Sequence, residues 1–208
     1  GFRRILIPGA AGFLGHHIAV AVRAAFPASE IVAVGSRAAD LLQPGAPARL
    51  VQDTQPDCVV HLAAKSAGIL ANKKSPADFF YENVVMNIHM FEAAFRHGVK
   101  KFLSLVGGCA YPAQAVSPID ESQIWNGFPQ LDSAGYSIAK RMTCVQSWAY
   151  RVQHGFNSVV LIPGNVYGEW DNFNPEEAHV VPALLRRYLE AREARTPFLA
   201  AWGSGRPT

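Results

Sequence analysis

Charge is scarce in this chain. Only 17% of its 208 residues are Asp, Glu, Lys or Arg, and the formal net charge is +3. A nucleic-acid footprint needs basic side chains gathered on one face. Basic doublets such as Lys73-Lys74 and Arg186-Arg187 are dispersed along the chain, so no nucleic-acid partner is expected. Cysteine is sparse too. Cys58, Cys109 and Cys144 are odd in number and widely spaced, as expected of reduced thiols in a cytoplasmic protein rather than a disulfide framework. No uninterrupted apolar stretch reaches spanning length, so no membrane segment is expected, and the sequence opens on a strand pattern rather than a signal peptide. Seven histidines are scattered without ligand spacing, and no metal site is predicted. Internal repeats and low-complexity segments are missing as well.

What is present suits a folded core. Half the residues are hydrophobic, and 208 residues bury enough surface for one full domain plus the start of another. Apolar runs at 5–7, 31–34, 58–62, 101–106 and 158–162 read as strands. Helical patterns fall between them at 16–26, where Ile18, Val20, Val22 and Phe26 are available for burial, at 76–97, closed by Gly98, and at 133–153. This alternation predicts an α/β fold with a doubly wound parallel sheet and ligands at the carboxyl ends of its strands. Beyond Pro163 the pattern weakens. A loop at 171–175, a helix at 180–195 and a strand at 198–202 are expected to begin a smaller region. The closing Gly203-Ser-Gly-Arg-Pro-Thr208 reads as a loop, and a longer protein is expected.

The first strand leads into Gly9-Ala-Ala-Gly12-Phe-Leu-Gly15 and then a helix. Gly9 suits a tight turn, Gly12 lets backbone approach a pyrophosphate, and Gly15 lets the helix pack closely on the strand. Free N–H groups and the helix dipole then favour phosphate. The triplet spacing differs from the Gly-x-Gly-x-x-Gly of most dehydrogenases. After the second strand, where an NAD-binding carboxylate is usual, the chain has Gly35-Ser36-Arg37, with the first carboxylate delayed to Asp40. Arg37 can pair with a ribose 2′-phosphate, which favours NADP(H); a plain solvated arginine is the alternative.

Tyr136 and Lys140 lie four residues apart, on one face of the expected helix. A cation beside a phenol favours the phenolate, so the pair predicts a tyrosine drawn down from ~10 toward a range useful for proton transfer. The same spacing also arises by chance on helices. Cys109, in a glycine-rich turn after the fourth strand, and His179, before the last helix, are candidate proton carriers. Taken alone, they read equally as a small buried hydrophobe and a capping histidine.

Several motifs resolve these alternatives together. They are Gly9-Ala-Ala-Gly-Phe-Leu-Gly15, His61-Leu-Ala-Ala64, Cys109-Ala-Tyr-Pro112, Tyr136-Ser-Ile-Ala-Lys140, Pro163-Gly-Asn-Val-Tyr-Gly168, Asp171-Asn-Phe-Asn174, the segment from His179 to Arg187, and Trp202-Gly-Ser-Gly205. The chain resembles the extended short-chain dehydrogenase/reductases and, within them, the GDP-L-fucose synthase group of epimerase-reductases. The resemblance implies a Rossmann domain over residues 1–165 and a partial substrate-binding region over 166–208. It implies NADP(H) held by Gly9, Ala10, Ala11, Gly12, Phe13, Leu14 and Gly15, by Ser36, Arg37, Asp40 and Leu41, by Ala63, and by Leu105, Val106, Gly107 and Gly108. Lys140, Pro163, Gly164, Asn165, Val166 and His179 complete that cradle. Tyr136 and Lys140 would serve reduction at C4, and Cys109 and His179 the epimerisation. Cys109, Asn165, Arg187 and Trp202 would touch a GDP-linked 4-keto sugar, and the helices at 76–97 and 133–153 would pair in a homodimer. Arg187 on a solvated face and Trp202 in a core are the bland alternatives.

One departure stands out. The group carries a serine two residues before the cysteine, and here that position is Gly107. Losing one donor aimed at developing charge commonly costs a factor of ~10²–10³. Gly164, and Glu169-Trp170, depart more mildly. The expected activity is therefore NADPH-dependent conversion of a GDP-4-keto-6-deoxy-hexose to GDP-L-fucose or a close relative, impaired at Gly107. The alternatives are an enzyme for another nucleotide-linked 4-keto sugar, such as a heptose, and a catalytically silent binding protein.

Overall fold

The computed structural model describes residues 1–200. Five short strands carry the apolar runs: β1 (Arg4–Pro8), β2 (Glu30–Val34), β3 (Cys58–His61), β4 (Lys101–Leu105) and β5 (Ser158–Leu161). All pair in parallel, in the order β2-β1-β3-β4-β5. Parallel neighbours need crossovers, and helices supply them: α1 (Phe13–Ala25), α2 (Ala46–Thr54), α3 (Ile69–Lys74), α4 (Pro76–Arg96), α5 (Ala134–His154) and α6 (Val180–Glu193). The strand order reverses between β1 and β3. In such sheets the crevice outside the carboxyl ends at that reversal is where ligands bind.

Side-chain alternation along the strands builds a layer on each face. Leu6, Val59 and Phe102 point to one face, where Val51 of α2, Met86, Met90 and Phe91 of α4, and Phe156 bury themselves. Phe91 sits at the centre of this layer, its ring 4.7 Å from Phe102, 5.2 Å from Phe156 and 5.1 Å from Tyr150 of α5. Ile5, Ile7, Cys58 and Val60 point the other way, against Ala19, Ile18 and Val22 of α1. A third cluster, Val106, Ala110 and Ile124, lies beyond the end of β4 and receives Cys144 from α5.

Several expectations need correction. The first helix begins at Phe13 rather than residue 16, because Gly12 already has the extended conformation of a helix-capping residue. Val20 of that helix is 66% exposed rather than buried, since the contact face follows Gly15, Ala19 and Val22. The short helices α2 and α3 were not expected. No strand forms at 198–200, which are irregular, and the rest of that expected strand, including Trp202, lies outside the described residues. Gly98, by contrast, has a φ of +72° and closes α4 as anticipated. None of the helices among the described residues is long and apolar enough to cross a membrane.

Candidate active site

Three loops meet above the carboxyl ends of β1, β3 and β4. The β1 loop is the glycine turn. Gly9 has a φ of +87°, and a Cβ there would collide with the backbone of Leu62 and Ala63, while a Cβ on Gly15 would strike the Gly9 carbonyl. These are the tight turn and the close helix packing that the glycine spacing predicts. Gly12 caps α1 without any side chain to occupy the first N–H groups, and a Cβ there would stand 3.4 Å from the Gly9 oxygen. The open helix start, with Ala10, Ala11, Phe13 and Leu14 around it, is an anion cradle that fits a dinucleotide pyrophosphate. The turn is fixed to β2 by hydrogen bonds from the Gly9 and Ala10 nitrogens to the Val34 oxygen, at 2.8 and 3.1 Å. Ser36 and Arg37 follow on the surface. Asp40 is engaged in its own turn, accepting from the Leu42 nitrogen and the Gln43 amide, and Leu41 is buried in the core.

The first turns of α5 carry the chemistry. Tyr136 is half-buried, and Lys140, one turn on, is 5% exposed, its ammonium 5.9 Å from the centre of the Tyr136 ring. Among the described residues no carboxylate forms an ion pair with Lys140. Burial therefore pulls the lysine down to about 8, opposed by the charge of Cys109. The same lysine lies close enough to the buried His61 to help burial push that imidazole down to about 3, despite its hydrogen bond with Asn87. Tyr136 moves opposite to expectation. Burial and the Cys109 charge push the phenol up to about 12, and a hydrogen bond with the Ser66 side chain only partly offsets them. Desolvation is the largest influence on the phenol. At neutral pH Tyr136 keeps its proton.

The β4 loop, from Leu105 through Val106, Gly107 and Gly108 to Cys109, faces this pair. A Cβ on Gly107 would lie 3.3 Å from the Cys109 sulfur and 3.7 Å from the Tyr136 hydroxyl, so a serine there would reach the phenol. Cys109 is exposed as a residue, yet burial of its sulfur raises the thiol, against a hydrogen bond with the Ser137 side chain. Ser137 and the buried Arg141 come from α5; Arg141 donates to the carbonyls of Ala110 and Gly127 and so ties the cysteine loop to the helix. Pro163 approaches Gly108 from the β5 loop, with Gly164, Asn165 and Val166 exposed beside it. The same loop crosses the head of α1. Trp170 stacks on His16 with ring centroids 4.7 Å apart, and His17 hydrogen-bonds the Glu169 carbonyl.

His179 is exposed at the head of α6. The residues before it are pinned to the β3 loop by a 2.6 Å hydrogen bond from the Gly68 nitrogen to the Glu177 oxygen. Arg187 lies further along α6 and donates to the Ala200 carbonyl. Ser66 and Ser137 were missed by sequence reasoning. Ser66 follows β3 at the ligand-binding end of the sheet, and Ser137 lies beside the tyrosine; position was the only available signal.

The lysine gives a stability prediction. Its folded pKa is depressed below the unfolded value of ~10.4, so between about 8 and 10 the unfolded chain binds more protons and stability rises with pH. Urea denaturation of wild type and Lys140→Met should show the gap moving in favour of wild type by roughly 2–3 kcal/mol across that window. A constant gap would mean that the ammonium is not desolvated.

Comparison with known proteins agrees with this geometry. A GDP-L-fucose synthase of Sinorhizobium fredii is 36% identical over 206 residues, 99% of this chain and 65% of that protein. A GDP-L-fucose synthetase from Naegleria fowleri bound to NADP superimposes with a TM-score of 0.83 at 29% identity, over 93% of this chain and 59% of the other. A GDP-D-glycero-L-gluco-heptose synthase from Campylobacter jejuni in the presence of NADPH gives 0.82 at 28% identity, over 89% and 54%. The chain thus spans about half to two thirds of the length of these relatives. The glycine turn and the Tyr136–Lys140 pair both fall within residues 5–208, which match one family description throughout, and the chain belongs to the NAD dependent epimerase/dehydratase family.

Proposed function

We propose that the chain is the cofactor-binding and catalytic part of an NADPH-dependent epimerase/reductase acting on a GDP-linked 4-keto-6-deoxy sugar, with GDP-L-fucose or a close relative as product. The observation that carries this reading is the convergence of Tyr136, Lys140, Cys109 and position 107 at one point above the sheet. Bound NADPH would supply hydride. The chain's own residues would do the rest. Tyr136, still protonated at neutral pH, is a loaded acid for the C4 oxygen. Lys140 carries positive charge toward the phenolate left behind. Cys109 and His179 exchange protons at the carbons beside the ketone.

The exposed Arg37, with Asp40 turned into its own loop, supports NADP(H) over NAD. Ser36, Ala63, Gly164, Asn165 and Val166 line the approach, and Arg187 and Trp202 remain proposed contacts for the nucleotide-sugar. The free cysteines suit a cytoplasmic enzyme. We divide the chain into a Rossmann domain over 1–165 and part of a substrate-binding region over 166–208. The likeness to the heptose synthase supports a second reading, a reductase or epimerase for a GDP-linked heptose.

The test is incubation with GDP-4-keto-6-deoxymannose in deuterated buffer. Expected are deuterium uptake at C3 and C5 together with NADPH oxidation, and loss of uptake in Cys109→Ser. Neither signal from the unsubstituted protein would sink the reading in favour of another sugar or a silent binding protein.

Two copies are proposed to pair through α4 and α5. Val145, Trp148 and Val152 form one stripe along α5 with exposures of 48%, 64% and 68%, on a helix that packs side by side with α4. Light scattering should give the mass of a dimer, and Trp148→Glu should give that of a monomer. A monomeric wild type would refute the pairing.

A further inference from the structure

The loop after β5 has far to travel. β5 stands at the edge of the sheet, three places from β1, which is about 14 Å at the usual strand spacing. Residues 168–170 nevertheless rest on the head of α1, the helix that follows β1. Residues 162–170 therefore run over the carboxyl ends of β4 and β3, across the crevice assigned above to the dinucleotide. We propose that Trp170 and His16 form a latch that fastens this strap, and that opening of the latch sets how fast NADP(H) enters and leaves. The inference rests on the NADP(H) reading.

The strap is anchored near its two ends. At one end the Pro163 carbonyl faces Gly108, 3.7 Å from where a Cβ on that glycine would stand. At the other, Gly168 lies against Phe13, whose ring is 3.6 Å from the place of a Cβ on Gly168. His17 then donates from Nε2 to the Glu169 carbonyl at 2.9 Å, and the Trp170 and His16 rings stack 4.7 Å apart and 6° from parallel. His16 is itself fixed, its Nδ1 donating to the Gly12 carbonyl at 2.8 Å. The ring beneath the tryptophan is thus tied to the glycine turn. Between the anchors, residues 164–167 are all exposed.

Trp170 has a φ of +68°, in the left-handed region where a bulky side chain is a genuine outlier. Such a conformation persists only where its surroundings hold it. Here the stack on His16 and the bond from His17 do the holding, while the backbone strain favours release. Every group in the latch belongs to the chain itself. The stack therefore lowers the energy of the closed strap equally with or without a dinucleotide beneath it. A contact of that kind slows entry and release alike and leaves the affinity where it was.

The experiment follows NADPH association and release by stopped-flow nicotinamide fluorescence in wild type, His16→Ala, Trp170→Gly, the double variant and Trp170→Phe. His16 is half-buried and Trp170 60% exposed, so these replacements leave the core layers intact. Glycine at position 170 removes the ring and accepts the positive φ without strain. Each single loss is expected to raise both rate constants by roughly 2- to 10-fold, with Kd within about twofold of wild type. The double variant should be little faster than either single one, because both remove the same contact. Trp170→Phe, which keeps a ring able to stack, should stay within about twofold of wild type. Unchanged rates in His16→Ala and Trp170→Gly overturn the inference and leave the NADP(H) reading standing. Faster release with unaltered association also overturns it, since the weakened Kd would mark residues that only shape the bound state. Failure of wild type to bind NADPH brings down both.

Discussion

A lysine ammonium taken out of water sets the terms for the whole cleft. Lys140 is buried where α5 packs against α4 and the sheet, and no carboxylate pairs with it among the described residues. That environment pulls the lysine down to about 8 and the neighbouring His61 to about 3. The same dryness pushes the Tyr136 phenol up to about 12. A proton donor results, rather than the partly ionised tyrosine that simple proximity to a cation suggests. In a reduction this is the useful state, because the oxygen at C4 needs a proton as it gains electrons.

Helix α5 is the element that organises these groups. Within six residues it offers Tyr136, Ser137, Lys140 and Arg141, and each acts on a different partner. Arg141 holds the Ala110 carbonyl, Ser137 partly offsets the upward push of burial on the Cys109 thiol, and Lys140 lies over the tyrosine ring. The packing of Phe91 against Tyr150, further along the helix, anchors α5 to the core. Core packing and catalytic geometry are therefore two ends of one helix. The β3 loop meets it from the opposite side, fixed by Asn72 and Asn83.

Much of this was legible in the sequence, for physical reasons. Parallel strands buried on both faces read as continuous apolar runs, and all five were found. Gly9 and Gly15 were legible because no other residue fits where a Cβ would collide with backbone. Helix α2 was not, because only Pro47 and Val51 of its nine residues are buried, too few to make a periodic stripe. The expected strand at 198–202 rested on a short apolar run, which cannot by itself tell strand from loop. The ionisation of Tyr136 was misjudged because spacing along a helix records a neighbour but not the water that burial removes. Ser66 was invisible for a related reason: its loop is held by Asn72 of α3, by Asn83 of α4 and by the segment before α6, the last two of them distant in the chain.

The proposed chemistry requires a phosphorylated dinucleotide over the glycine turn beside Tyr136. Isothermal titration of the chain with NADPH and NADH tests it most directly. The account predicts saturable NADPH binding, weaker NADH binding, and loss of NADPH binding in Gly12→Val, whose side chain would fill the cradle 3.4 Å from the Gly9 oxygen. No binding of NADPH, or undiminished binding in Gly12→Val, would contradict it.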